Sequence, residues 1–270
     1  MAALTGWRTA PLVDPAPIRA FLDRDRILTA YALGDLDAAF WPQTAFYGAF
    51  AGTGWVEALA LVYRGLDPAV FCAFGAPDGV AAILDAHDLP AEVYTLLPPA
   101  LEPVFSARYA LYNPHQEWRM ALDPGAFAPP PLNGVAHLGG EHAAALADLF
   151  RHAAEPGEEI VAFSPWQIEH GTFYGLWEGS ALIAAAGTHV WSPAERVVAI
   201  GNVFTRPDWR GRGLAARCTA AVVREALDAG LNPIVLNVRI DNAPAIHVYE
   251  KLGFRIHGPM IEGPALRREM

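Results

Sequence analysis

The sequence predicts an α/β fold, a mixed sheet with helices on both faces, built twice in tandem along 270 residues. Three observations carry that prediction. Residues 197–256 alternate strand, turn, helix, strand, helix and strand signals, the pattern that packs helices onto a sheet. A proline-rich run, 123–134, divides the chain into two halves. The half before that run repeats the same order of elements.

In the first half, residues 17–36 read as an early helical stretch. Residues 45–50 and 55–63 read as paired strands, and 70–74, Val-Phe-Cys-Ala-Phe, as a third. The turn Gly-Ala-Pro-Asp-Gly, 75–79, then opens a helix through His87. Strand 92–97, helix 101–108 and strand 116–122 complete the half. Three consecutive prolines, Pro129, Pro130 and Pro131, favour an extended, semi-rigid connection over either regular structure. The expected organisation is therefore a domain over 1–124, a linker over 125–132 and a domain over 133–270.

In the second half, residues 140–150 should form a helix with Ala144, Leu146, Leu149 and Phe150 as its apolar surface. Residues 172–177 and 181–190 should form a hairpin about the turn 178–180, and a further turn, 191–196, leads to strand 197–205. The helix over 213–229 has an apolar arc of Leu214, Cys218, Ala221, Val222 and Ala226. Arg217, Arg224 and Asp228 lie off that arc, whereas Glu225 falls inside it with no reason visible in the sequence. Gly230 suits the helix end, and Pro233 precedes the β-branched strand 234–238. Asp241 or Asn242 can cap the next helix, in which Pro244 is tolerated in the first turn. Ala245, Val248, Tyr249 and Leu252 share one of its faces. Gly253 stops it, and 254–256 begins another strand.

The most specific stretch is Val-Phe-Thr-Arg-Pro-Asp-Trp-Arg-Gly-Arg-Gly-Leu-Ala, 203–215. It is a strand end, a basic glycine turn and a helix start. A helix start carries unpaired N–H groups and partial positive charge. Glycines let the backbone approach a phosphate closely, and Arg210 and Arg212 add fixed charge around Gly211. A plain surface loop is the competing reading of the turn alone.

Taken together, two motifs resemble the GNAT superfamily of acyl-CoA-dependent N-acyltransferases. The first is R-x-x-G-x-A through Arg210, Gly213 and Ala215. The second is N-x-x-A from Asn242 with Y-x-K-x-G-F from Tyr249. The resemblance covers 133–270 and implies a mixed, mostly antiparallel sheet; the parallel order of elements makes the first half a degenerate copy of the same fold, the alternative being an echo that βα alternation produces by chance. It implies acetyl-CoA as cosubstrate, its pyrophosphate on main-chain N–H groups of Arg210, Gly211, Arg212, Gly213, Leu214 and Ala215. The pantetheine arm would pair with Val203, Phe204 and Thr205, which requires the sheet to be splayed open there. Asn242 would lie near the CoA arm and can also be an N-cap. Tyr249 would be the general acid, since a phenol near pKa ~10 can protonate a thiolate whose acid has pKa ~8.5 once positioning helps.

The implied reaction is transfer of an acetyl group to a primary amine by direct attack in a ternary complex. A non-catalytic CoA-binding module, and an acyltransferase using a longer acyl-CoA, are the alternatives. An ammonium acceptor must lose a proton, for which Glu169, Glu178, His170 and His189 are candidates. Asn202 can orient a water but cannot be a base. Residues 164–167 look like an acceptor-side lid, with Trp166 either stacking on substrate or plugging a gap. In the first half, Asp78 stands where the second has arginines and would repel a pyrophosphate.

Composition bounds the rest. A hydrophobic content of 53% suffices for packed cores, and mean hydropathy is +0.20. No uninterrupted apolar run reaches the ~18 residues of a membrane span, and the first residues lack a signal-peptide pattern. Cys72 and Cys218 show no motif spacing. A cytoplasmic, reducing setting is the expectation. A net charge of −10 argues against a nucleic-acid partner. The nine histidines form no H-E-x-x-H or close ligand cluster in sequence, so no metal is implied. Neither a G-x-S-x-G elbow nor a phosphate-binding P-loop is present. The amine acceptor and the oligomeric state stay open.

Overall fold

The computed structural model describes residues 6–52, 54–153 and 165–269, which divide into two compact units. Unit 1 is 1–118 with 258–270, and unit 2 is 119–257. The division falls neither at 124 nor at 133, and the proline run lies inside unit 2.

Unit 1 begins with β1 (Arg8–Leu12), an edge strand outside the expected elements. The expected helix over 17–36 is instead broken into α1 (Pro15–Leu22) and α2 (Ala30–Gly34). Asp14 caps α1, its carboxylate accepting from Ala16 N at 2.9 Å. Thr29 ends the intervening loop by donating its hydroxyl to Leu22 O and Asp25 O, a bond that competes with helix continuation. Next come β2 (Thr44–Phe50), β3 (Ala58–Tyr63) and β4 (Ala69–Gly75), antiparallel in sequence. Helix α3 (Pro77–Ala86) then crosses to β5 (Glu92–Leu97), which lies parallel to β4. Helix α4 (Glu102–Ser106), β6 (Tyr109–Leu111) and β7 (His115–Leu122) follow. Val80, Ile83 and Leu84 of α3 join Phe71, Phe105 and Tyr109 in one buried core. There Phe105 and Tyr109 stack at 4.9 Å between ring centroids, and the Tyr109 hydroxyl donates to Pro90 O at 2.7 Å.

Unit 2 holds β8 (Ala136–His137), α5 (Ala143–Ala153), α6 (Pro165–His170), β9 (Tyr174–Glu178), β10 (Ala181–Ser192) and β11 (Val197–Thr205). After these come α7 (Leu214–Asp228), β12 (Ile234–Arg239), α8 (Ala243–Leu252) and β13 (Phe254–Arg267). Strands β8 to β11 are antiparallel neighbours, and β12 runs parallel to β11 across the α7 connection. Every residue of β10 from Leu182 to Thr188 is buried, as a strand with both faces covered must be. The anomalous Glu225 of α7 is explained here, because its Oε2 accepts from the Thr172 hydroxyl at 2.5 Å.

The units thus share one plan, an antiparallel meander followed by a helical connection into a parallel strand: β2–β3–β4–α3–β5 in one, β9–β10–β11–α7–β12 in the other. Two expectations change. The strand expected at 254–256 runs on to Arg267, and its last part pairs with β5 from Ile261↔Leu97 to Leu266↔Glu92. Ala265 is fully buried in the unit 1 core, which is why the chain's end belongs to unit 1. The stretch after Asp123 is also less free than a linker. Asp123 N donates to Gly253 O at 3.0 Å, and a Cβ on Gly253 would lie 2.6 Å from Ala126 O.

Candidate active site

The site is built where β11 leaves β12. Their parallel pairing covers Val198↔Ile234, Ala199↔Val235 and Ile200↔Leu236 and then stops. From Gly201 to Thr205, β11 has β10 on one side and no pairing with β12 on the other. Between Gly187↔Gly201 and Ala185↔Phe204, two residues of β11, Asn202 and Val203, oppose Ala186 alone. Asn202 takes the extra place with φ +53°. Such a bulge bends its strand and ends regular pairing. Val203, Phe204 and Thr205 on this edge are half-buried, and among the described residues their main chain has no pairing with β12.

That edge runs into the glycine turn. Arg206 fixes the junction, its main-chain N donating to Ile183 O at 2.9 Å. Its guanidinium donates to Leu182 O at 2.9 Å and to Asp148 at 2.6 Å. Arg210 Nε reaches back to Thr205 O at 3.3 Å. Arg212 lies over the Trp209 ring at 4.5 Å and donates to Asp208 O at 3.2 Å. Gly211 and Gly213 adopt φ +78° and +73°, and a Cβ on either would meet nothing within 4 Å. Their conformation needs glycine, and the space before them is open. Leu214 then anchors the start of α7 in the protein interior, while the N–H groups of its first turn point out of the helix unpaired by geometry.

Helix α8 brings the second motif to α7, which it contacts. Asn242, not Asp241, is the N-cap, accepting from Ala245 N at 3.2 Å. Asp241 instead pairs with Arg239 at 2.7 Å. Tyr249 is buried, its ring edge-on to Phe254 at 6.1 Å between centroids. The one thiol near this helix pair, Cys218, is pushed up to about 12 by burial and stays protonated, so it offers no thiolate nucleophile.

The candidates for the base are not gathered together. A Cβ on Gly201 would lie 1.9 Å from His189 Nε2, so the His189 ring covers Gly201 at the point where pairing with β12 has ended. Asn202 Nδ2 donates to Gln167 Oε1 of α6 at 3.5 Å, and both residues are buried. Glu169 and His170 are exposed on α6, and Glu178 is exposed at the hairpin tip. Trp166 stacks on His170 at 4.0 Å. Of the expected lid, Ser164 lies outside the described residues. Two residues that shape this region escaped the sequence reading: Arg206 and Asp148. The Gly201-Asn202 pair inside a β-branched strand was the available signal for the bulge.

The unit 1 counterpart shares the early end of parallel pairing, which stops at Cys72↔Leu96 while β4 runs on to Gly75, but its β3–β4 register has no bulge and its turn is short. Between β4 and α3 only Ala76 intervenes. Gly75 is at φ +96°, but a Cβ there would lie 2.3 Å from Glu57 O, so that turn is packed where the other is open. Asp78 is exposed in the first turn of α3.

The family model of the acetyltransferase (GNAT) family matches residues 143–254. The chain carries a GNAT domain. The match spans the elements from α5 to the start of β13 and so includes the open edge, the turn and α8. Among curated proteins, a mycothiol acetyltransferase from Catenulispora acidiphila is 30% identical over 166 residues, which is 58% of this chain and 46% of that protein. The chain spans about half the length of the curated relatives it matches. Among solved structures, a GNAT-family protein from Novosphingobium aromaticivorans is 25% identical with a TM-score of 0.56, over 73% of this chain and 84% of that one. A tandem GNAT protein from the clavulanic acid biosynthesis pathway aligns over 97% of this chain and 98% of its own, with 15% identity and a TM-score of 0.56. The GNAT fold therefore accounts for both units and not for 143–254 alone. No helix among the described residues is long and apolar enough to cross a membrane.

Proposed function

We propose that this chain is an N-acetyltransferase that moves an acetyl group from acetyl-CoA to a primary amine by direct attack in a ternary complex. One observation carries the reading: an unpaired strand edge, Gly201–Thr205, leads directly into an open, basic glycine turn at a helix start. That order of features suits a ligand with an amide-bearing arm at one end and a pyrophosphate at the other. The N–H groups of Arg210 to Ala215 and the guanidinium groups of Arg210 and Arg212 fit the pyrophosphate. The main-chain groups of Val203 to Thr205 fit the amides of the arm, and Asn242 stands at the neighbouring helix start.

Bound acetyl-CoA supplies an acetyl carbon activated by a thiolate leaving group. The amine nitrogen bonds to that carbon, the C–S bond breaks, and Tyr249 donates its phenolic proton to the departing sulfur. The acceptor's proton passes to a base or to water, and the ring of His189 beside Gly201 makes it the favoured member of the four candidates. Asn202 and Gln167 orient polar groups on the acceptor side. Unit 1 contributes no second donor site, because its turn is filled and acidic.

The test is release of free CoA thiol from acetyl-CoA against an amine panel, with mycothiol-related amines placed first on the strength of the relatives' name. Amine-dependent release, reduced about 10²-fold or more in Tyr249→Phe, supports the mechanism. CoA binding with no release for any amine leaves a binding module, and no CoA binding at all removes the reading.

A further inference from the structure

Outside the GNAT site, unit 1 gathers three metal-ligating side chains that are far apart in sequence. His115 and Glu117 stand two residues apart on β7, which sends both to one face of the strand. Glu262 arrives from β13. One donor atom from each lies within 4.8 Å of the other two. His115 Nε2 and Glu117 Oε1 are 3.5 Å apart, close to the edge of ~3.4 Å that a tetrahedron with zinc–ligand bonds of 2.0–2.2 Å requires.

We propose that His115, Glu117 and Glu262 bind a divalent transition-metal ion, with zinc the best match to their donors. The set is one imidazole nitrogen and two carboxylate oxygens. Imidazole selects zinc and its neighbours over the alkaline-earth ions, and carboxylates complete zinc sites of three protein ligands. Glu117 is buried whereas His115 and Glu262 are half-buried, so the group is anchored on one side and reachable by solvent on the other.

The Glu117 and Glu262 carboxyl groups lie within hydrogen-bond reach of each other, and a cation between them would offset their mutual repulsion. The Tyr94 hydroxyl also bonds to Glu262, and a partner outside the ligand set that holds a ligating carboxylate in place strengthens a metal site.

The experiment uses the full chain, stripped with a chelator and dialysed against zinc. One equivalent of retained zinc by elemental analysis, with a raised melting temperature, is expected. Glu262→Gln and His115→Ala should each weaken zinc binding by at least about 10-fold. The first is isosteric and the second truncates a half-buried ring, so both should fold, which circular dichroism checks. No retained zinc in the wild type, or retention unchanged in both variants, overturns the proposal. Because the readout is zinc content, it is independent of acetyl transfer.

Discussion

Gly75 and Gly211 occupy comparable places in the two units, between a sheet strand and the helix that crosses to a parallel neighbour. Alanine at each should have opposite consequences. Both glycines have positive φ, so each substitution costs about 1–2 kcal/mol of backbone strain. At Gly75 the new Cβ also falls 2.3 Å from Glu57 O and 2.9 Å from Ala58 Cα. Both are backbone atoms that cannot swing aside, which adds about 1–3 kcal/mol of overpacking. At Gly211 there is nothing within 4 Å, so strain is the whole structural cost. In the proposed donor site, the Cβ there would occupy space that a pyrophosphate needs. Losing one charge-assisted N–H bond to it costs about 1.5–3 kcal/mol, or roughly 10- to 150-fold in CoA affinity. Gly75→Ala should therefore lower the melting temperature clearly more than Gly211→Ala. In calorimetric titration with CoA, Gly211→Ala should weaken binding while folded Gly75→Ala binds as the wild type does. Normal CoA affinity in Gly211→Ala, or a melting loss equal to that of Gly75→Ala, refutes the assignment of one open turn and one filled turn.

Three further outcomes follow from particular contacts. Glu225→Ala leaves the buried Thr172 hydroxyl without its 2.5 Å acceptor and should destabilise by about 1–3 kcal/mol in denaturant unfolding, whereas Glu225→Gln recovers most of the loss. Gly201→Ala drives a Cβ into His189 Nε2 and should change the pH profile of acetyl transfer more than it changes CoA affinity; equal profiles would remove His189 from the acceptor side. Asp35 is buried, and burial raises its carboxyl well above its usual range. The unfolded chain releases that proton first as pH rises, so stability falls with pH above the unfolded value of ~4. Asp35→Asn should accordingly melt higher than the wild type at pH 8, with the difference shrinking toward pH 4.

The second half was legible because its signals are local. A glycine turn needs positive φ at fixed positions, an N-cap needs a short polar side chain, and a β-branched run needs a sheet; all of these lie within a few residues of one another from Val203 to Phe254. The opening of the sheet beyond Ile200 was reached only through the resemblance, since where two strands part depends on their register, which no single strand encodes. Other features failed for the same reason. Glu225 looked misplaced on α7 until Thr172, distant in sequence, supplied its partner. The tail after His257 gave no sign of leaving its own half, because its pairing with Glu92–Leu97 is a matter of tertiary contact. The triad of His115, Glu117 and Glu262 is the extreme case: His115 and Glu117 alone are an unremarkable pair on a strand, and β13 alone brings the third ligand. Asp78 pointed to an inactive unit 1 turn by its charge, but the stronger cause is geometric. A single residue between β4 and α3 leaves no loop to wrap a phosphate, so replacing Asp78 by arginine should not create a second CoA site, and a CoA stoichiometry of two in Asp78→Arg would show that charge, not chain length, had closed it.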